Sequence, residues 1–297
     1  MIRLSLIIAT YNRAEQLMIT LDSVARQSAS AEMWECVVVD NNSKDNTSER
    51  VATFAAAHPE LNIRYVFEGV QGLSAARNAG IRASVGEIVA FIDDDERIVA
   101  DFIEAYIQLF DSLPDAASAG GKIIAEYPSG RPAWMSRYSE EPIANPMDFG
   151  EEVSLFPSHR IPGGGNMAIR RKALDEVGYF NPQLGRRGDR LIGGEESDLF
   201  ERLRQRGMRC YYAPRAVMYH IIGQDKLTKD YFCRLAYNTG ISQRSRAELH
   251  SRTARLYLFE AMKWAATLLL CLCHRPAQSK YLLLMRYHIS RGILQRR

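Results

Sequence analysis

The stretch that most constrains this chain is Ile88-Val89-Ala90-Phe91-Ile92 running directly into Asp93-Asp94-Asp95-Glu96. Five apolar residues without alternation describe a strand covered on both faces. Its end opens into four consecutive acids. Two like charges in contact near a protein surface repel by about 4 kcal/mol, so something cationic belongs there. Hard oxygen ligands at the mouth of a strand suit Mg²⁺ or Mn²⁺, ions that keep company with phosphate. Taken alone, the stretch also reads as an acidic, solvated loop.

Upstream the same theme recurs. Leu4–Thr10, Cys36–Val39 and Ile63–Phe67 read as strands. Between them lie Ala14–Gln27, with Leu17, Leu21 and Val24 at helical spacing, then Asp45–Ala57, and then Leu73–Ala83. Strand and helix in alternation mean right-handed crossovers and a mostly parallel, Rossmann-like α/β sheet flanked by helices. In such sheets ligands bind beyond the carboxyl ends of the strands. That rule gathers Thr10, Tyr11, Asp40 and Asp93–Asp95 on one rim.

After the fourth strand the pattern loosens. A helix is expected over Phe102–Phe110 and a strand over Lys122–Ala125. Residues 128–162 read as irregular loop. Gly163-Gly164-Gly165-Asn166 leads into a short strand, and Gly193–Asp198 opens a helix over Leu199–Arg206. Two short strands follow, Cys210–Tyr212 and Val217–Tyr219, with His220 closing the second.

The 297 residues, 46% hydrophobic and 25% charged, suit one large α/β domain with an addition. We divide them at 1–225 and 226–297. The net charge of +3 is unevenly spread: 226–297 holds 14 Lys/Arg against 3 Asp/Glu, and 1–225 holds 24 against 32. A basic tail on an acidic body points to an anionic partner. No base-reading motif accompanies it, which sets nucleic acid aside. The five scattered cysteines lack zinc-site spacing and read as free thiols of a reducing cytoplasm. The apolar run Leu4–Ala9 is too short for a signal peptide.

Within the tail, 252–273 draws as a helix. Arg255, Glu260, Lys263, Thr267 and His274 form a narrow polar stripe on an otherwise apolar surface. The uncharged part, 264–273, is too short to span a bilayer, so the helix is expected to lie peripherally in a membrane interface. Pro276 ends it, and Tyr281–Met285 repeats the theme among basic residues. A helix packed on the main domain, or one joining two copies in a homo-oligomer, is the other reading.

Several segments, in this order, resemble the family 2 glycosyltransferases of GT-A fold. They are Ile7-Ile8-Ala9-Thr10-Tyr11-Asn12-Arg13, Val39-Asp40-Asn41-Asn42-Ser43-Lys44-Asp45 and Gly72-Leu73-Ser74-Ala75-Ala76-Arg77-Asn78-Ala79-Gly80. Asp93-Asp94-Asp95-Glu96, Gly194-Glu195-Glu196-Ser197-Asp198-Leu199 and His220 complete the series, which covers about residues 4–222. The resemblance implies a nucleotide-binding half over about 1–115 and an acceptor-side half over about 116–225. It gives Thr10, Tyr11 and Asp40 to the donor's nucleoside. A carboxylate there can accept from a base N–H, and Tyr11 can stack on the ring. Equally, Asp40 can be a turn residue and Tyr11 a packing residue.

Arg77 is implied at the donor diphosphate, where a guanidinium matches phosphate oxygens. Asp93 and Asp95 match the DxD acids. The resemblance implies that the first lies near the ribose or the metal's water shell and the second on the metal, with Asp94 in the variable middle place on the donor side. It implies that His220 completes the Mn²⁺ or Mg²⁺ site, and that Gly164, Gly165 and Asn166 line the sugar and acceptor pocket. Glu196 is implied as the catalytic base, with Glu195 as its substitute, although the family places Asp where Glu196 stands.

The expected activity is inverting, metal-dependent transfer of a sugar from a nucleoside-diphosphate sugar to a hydroxyl acceptor. The acceptor would be lipid-linked or a surface polysaccharide, and the site of action the cytoplasmic face of a membrane. A non-catalytic nucleotide-sugar binder docked to the membrane is the competing class, against which Asp93, Asp95 and Glu196 argue. A nicotinamide oxidoreductase is disfavoured because no glycine-rich fingerprint follows the first strand.

Overall fold

The structure, a computed structural model, describes residues 1–186, 193–249 and 251–295. The chain divides into two compact units. The first comprises Met1–Ile124, Met147–Gln183 and Glu195–Ile221, and the second Ala125–Pro146, Leu184–Gly194 and Ile222–Arg297.

In the first unit, β1 (Leu4–Thr10), α1 (Ala14–Val24), β2 (Trp34–Asp40), α2 (Thr47–Ala57), β3 (Ile63–Phe67), α3 (Leu73–Ala83) and β4 (Ile88–Asp93) follow one another as the apolar runs require. Strands β3, β2, β1 and β4 are neighbours in that order, all parallel. The register pairs Thr10 with Asp40 and Ala9 with Asp93, so the three polar strand ends share one rim. Burial explains the missing alternation. Leu4, Leu6 and Ile8, with Cys36, Val38, Ala90 and Ile92, face one core against Leu17, Leu21 and Phe102. Ile7, Val37, Val39, Val89 and Phe91 face the other, against Ala76, Leu174 and Leu199. β1, β2 and β4 are thereby apolar on both faces over most of their length, whereas β3, at the sheet edge, is partly exposed.

Beyond β4 the sheet changes sense. β5 (Glu96–Ile98), α4 (Phe102–Ser112), β6 (Ala116–Glu126), β7 (Ser154–Leu155), β8 (Met167–Arg170), α6 (Arg171–Val177), α7 (Glu195–Gln205) and β9 (Arg209–Ile221) complete the unit, apart from the last residues of β6. The spatial order continues β4, β8, β6, β9, β5, with β7 also on β9. Pairings β4–β8, β6–β8, β5–β9 and β7–β9 are antiparallel. The sheet is therefore mixed, parallel in the half that the strand–helix rhythm announces and antiparallel beyond it. The two short strands expected over 210–219 are one, running through Pro214. A proline removes only the hydrogen bond that its own N–H would have made.

The second unit is helical. The irregular loop expected over 128–162 contains α5 (Arg137–Ala144), closed by a Ser136/Ser139 capping box. α8 (Lys229–Leu249), α9 (Thr253–Cys273) and α10 (Pro276–Leu294) follow. α8 and α10 cross at two glycines: a Cβ on Gly240 would overlap the Ile289 carbonyl, and one on Gly292 the Tyr237 carbonyl. Trp134 stacks on Tyr281 at 4.0 Å, and Phe232 packs against both. By length and composition alone α9 is long and apolar enough to cross a membrane, which its uncharged part, 264–273, is not. The longer stretch takes in Glu260 and Lys263, one turn apart.

Candidate active site

The four acids at the end of β4 part ways, three to two arginines and the fourth to a backbone N–H. Asp93 accepts from Arg77 Nη2 at 3.1 Å. Asp94 and Asp95 accept from Arg13 Nη1 at 3.2 and 2.9 Å. Glu96 turns inward, and its carboxylate accepts from the Asp93 backbone N–H at 2.8 Å. Arg13, which the sequence motif contains but motif reasoning gave no role, supplies the positive charge that the acid run demands. The repulsion between the acids was the one signal that could have found it.

Asp94 is buried and accepts from Thr10 Oγ1 at 2.8 Å. Burial pushes its carboxyl up to about 6; Arg13 opposes and Asp95 adds to the rise. Thr10 thus spends its hydroxyl on the β4 end. Asp40 is likewise engaged, by Tyr65 Oη and by the Ser43 N–H, each at 2.8 Å. It occupies the rim as expected and also serves the turn after β2. Tyr11 stands more than a third exposed beside it in the loop after β1.

Asp95 and His220 converge from the middle and the end of the unit's sequence. β5 pairs with β9 so that Glu96 faces His220, and the Ile221 N–H donates to the Asp95 carbonyl at 3.0 Å. His220 Nε2 then lies 3.7 Å from Asp95 Oδ1. Among the described residues no three His, Cys, Asp or Glu side chains converge closely enough to hold an ion by themselves. An oxygen and nitrogen pair that leaves the remaining positions to phosphate and water fits the way Mg²⁺ and Mn²⁺ bind with nucleotides. Asp93 lies apart from this pair, on Arg77.

Arg77 is the centre of the second cluster. α3 carries it fully into the interior, 2% exposed. Nη1 reaches Glu196 Oε1 at 2.8 Å and Glu195 Oε1 at 3.4 Å; Nη2 reaches Asp93 and the Gly164 carbonyl at 3.2 Å. The Phe180 ring lies 5.5 Å from the guanidinium carbon. Asn78, on the same helix, holds Phe180 in place through both its N–H and its carbonyl. Burial alone would weaken the guanidinium's hold on its proton, but Glu196, Asp93 and Glu195 together raise its pKa.

The two glutamates diverge. Glu195 is buried, with Oε2 making no hydrogen bond, and burial, reinforced by Glu196, pushes its carboxyl up to about 8. Burial also disfavours ionised Glu196, yet Arg77 more than offsets it and the pKa falls below the ordinary value. The pair therefore carries one proton on Glu195 and one charge on Glu196 at neutral pH. Asp198, one turn on, pairs with Arg202 at 3.0 Å and steadies α7.

Gly164 passes so close to this cluster that a Cβ there would overlap Glu196 Oε1. A Cβ on Gly165 would overlap Glu96 Oε1. Both glycines thus lie against the acids. Asn166 does not offer itself to a ligand: it is fully buried, accepts from Tyr106 Oη at 2.6 Å and donates to the carbonyls of Lys122 and Ala216. It ties the glycine strip to β6 and β9.

The chain is similar to known proteins. The chain is 26% identical over 252 residues to the glucosyl-dolichyl phosphate glucuronosyltransferase of Haloferax volcanii, covering 82% of this chain and 76% of that one. It is 32% identical over 185 residues to glycosyltransferase AglE of the same organism, spanning 62% of this chain and 58% of that relative. The succinoglycan biosynthesis protein ExoM of Rhizobium meliloti is 24% identical over 236 residues, 78% of this chain and 71% of that one. Among solved structures, the mannosyltransferase PcManGT of Pyrobaculum calidifontis, in complex with GDP-Man and Mn²⁺, superposes with a TM-score of 0.62 over 97% of this chain and 87% of that one, at 19% identity. S. aureus TarS 1-349 in complex with UDP-GlcNAc does so at 0.56 over 82% and 66%, also at 19%. These likenesses identify the fold as GT-A. The family model for glycosyl transferase family 2 matches residues 5–178, more than half of the chain, and this protein belongs to that family.

Proposed function

We propose that this glycosyltransferase moves a sugar, with inversion, from a nucleoside-diphosphate sugar to a hydroxyl on a lipid-linked or surface-polysaccharide acceptor. The observation that carries the proposal is Arg77, whose one guanidinium joins Asp93 of the DxD stretch to Glu196 of α7. Donor phosphates and an acceptor hydroxyl would thereby meet around a single cleft.

In this reading Tyr11 and Asp40 receive the nucleoside, and Asp93 and Asp94 the donor beyond it. Gly164 and Gly165 leave room for the sugar and acceptor beside Glu196. Arg77 turns from Glu196 toward the diphosphate as the donor seats. Losing that partner raises the proton affinity of Glu196 and fits it to act as a base near neutral pH. Glu196 takes the proton of the acceptor hydroxyl. The acceptor oxygen attacks the anomeric carbon opposite the diphosphate, the carbon–oxygen bond to phosphate breaks, and the nucleoside diphosphate departs through an oxocarbenium-like state. Asp95 and His220 would hold Mn²⁺ or Mg²⁺, with imidazole favouring Mn²⁺, and the bound ion would neutralise charge on the leaving diphosphate. The free cysteines and basic second unit support a peripheral place on the cytoplasmic face of a membrane.

A panel of nucleoside-diphosphate sugars, each with and without Mn²⁺ or Mg²⁺, tests the proposal by thermal stabilisation. One donor should raise the melting temperature only when the metal is present. Binding at one hundred times the dissociation constant stabilises by about 2.7 kcal/mol. A panel in which no donor stabilises the protein with either metal would defeat it.

A further inference from the structure

α9 is turned inside out. On one side Glu260 accepts from Arg286 Nη1 at 3.0 Å and from Ser290 Oγ at 2.7 Å, and Trp264 Nε1 donates to Ser290 Oγ at 2.8 Å. Glu260 and Thr267 are buried. On the opposite side stand Leu258, Met262, Leu269 and Leu272, exposed by 63, 58, 66 and 83%. A helix on a globular surface points its polar side outward. This one turns Glu260 and Trp264 toward α10 and presents leucine and methionine to the outside. A contiguous apolar face of this kind marks an interaction surface.

Charge selects the occupant. Residues 251–295 contain seven Lys/Arg and a single acid, Glu260, which Arg286 already claims. A second copy docked through a two-fold axis would bring like charge against like charge. An anionic lipid surface answers both features, taking the apolar face at the acyl boundary and the cations at the headgroups. A groove between α9 and α10 adds to this. It is an open, shallow groove of about 520 Å³, lined by Trp264, Pro276, Leu283, Leu284 and Tyr287, with the exposed Lys280 among them. That volume lies in the range of ligand sites, and its wall suits a hydrocarbon chain below a phosphate.

We propose that α9 lies in the plane of an anionic membrane surface with Leu258, Met262, Leu269 and Leu272 in the acyl region, and that the groove beside it takes one lipid chain. The proposal deepens the membrane-side part of the reading above and rests on it for location only. Crossing the bilayer is disfavoured because it would carry Lys263 and the Glu260–Arg286 pair into hydrocarbon.

The test uses the full-length protein and flotation with vesicles of phosphatidylcholine, alone or with phosphatidylglycerol added. Binding should require phosphatidylglycerol and be released by alkaline carbonate. Leu269→Glu with Leu272→Glu should weaken it roughly tenfold or more, since two leucines leave the acyl region. Both positions are exposed, so the melting temperature and donor stabilisation should be unchanged. If that variant melts early, Leu258→Ser with Met262→Ser takes its place. Binding that the substitutions leave intact, binding that resists carbonate, or no binding by the unaltered protein would each overturn the proposal. So would a dimer in sedimentation that the variant converts to monomer. Vesicle binding without any donor stabilisation would instead sink the transfer reading and leave this one standing.

Discussion

Arg77, almost wholly buried, sends one guanidinium nitrogen to Glu196 and the other to Asp93. Removing it leaves the largely buried Glu195 and Glu196 without their guanidinium partner. Arg77→Met should therefore cost about 3–5 kcal/mol, the usual result of breaking a buried pair from one side, measured by denaturant unfolding. Glu195 makes a prediction of opposite sign. Its folded pKa, about 8, lies above the ordinary carboxylate value of 4.5. Between those values the folded protein holds a proton that the unfolded chain releases, so stability falls as pH rises through that window. Glu195→Gln should remove the fall. The variant's melting temperature, compared with that of the unaltered protein at pH 5 and at pH 8, should gain roughly 2–4 °C more at the higher pH, about 1 kcal/mol in a domain of this size. Glu196 has the lowered pKa, and its ion pair with Arg77 is lost only as pH drops into the acid range. Such pairings are through-space facts. Sequence order names Arg77, Asp93, Glu195 and Glu196 separately. It does not say that a single guanidinium bonds the first acid and the last, nor that the partner of Asp94 and Asp95 is Arg13.

At the scale of elements, the strip from Gly164 to Asn166 shows how a loop earns its composition. Gly164→Ala would push a methyl into Glu196 and Arg77. We expect about 1–3 kcal/mol of destabilisation from overpacking and a larger loss of transfer than of donor binding, read by comparing product formation with calorimetry. β1, β2 and β4 were legible in the sequence because each is apolar on both faces and ends in polar residues, and β3 because it is a short β-branched and aromatic run between two helical patterns. β5 was not, since its three residues, Glu96–Ile98, carry no periodic signal. α5 hid for a chemical reason. Its capping box uses Ser136 and Ser139, where the recognisable pattern has Glu or Gln at the second place, and Pro142 sits inside the helix. The segments Cys210–Tyr212 and Val217–Tyr219, read as two strands, are parts of β9, which accommodates Pro214 between them. α9 was correctly drawn as a helix with a polar stripe. Which way that stripe faces depends on α10, and no pattern within α9 carries that information.

Across the whole molecule, the account joins acids from the middle of the chain to acids and a histidine from its later part. The DxD acids lie at 93–95, the glutamates at 195–196 and the histidine at 220, and the first unit contains them all. The direct measurement is made on Glu196→Gln. Donor affinity is read by calorimetry with Mn²⁺, and transfer by product formation under single turnover. The account predicts donor binding within a few-fold of the unaltered protein and transfer reduced by about 10²–10⁴, the share that a positioned base contributes. Transfer that survives the substitution, or donor binding that collapses along with it, would contradict the assignment of the proton to Glu196.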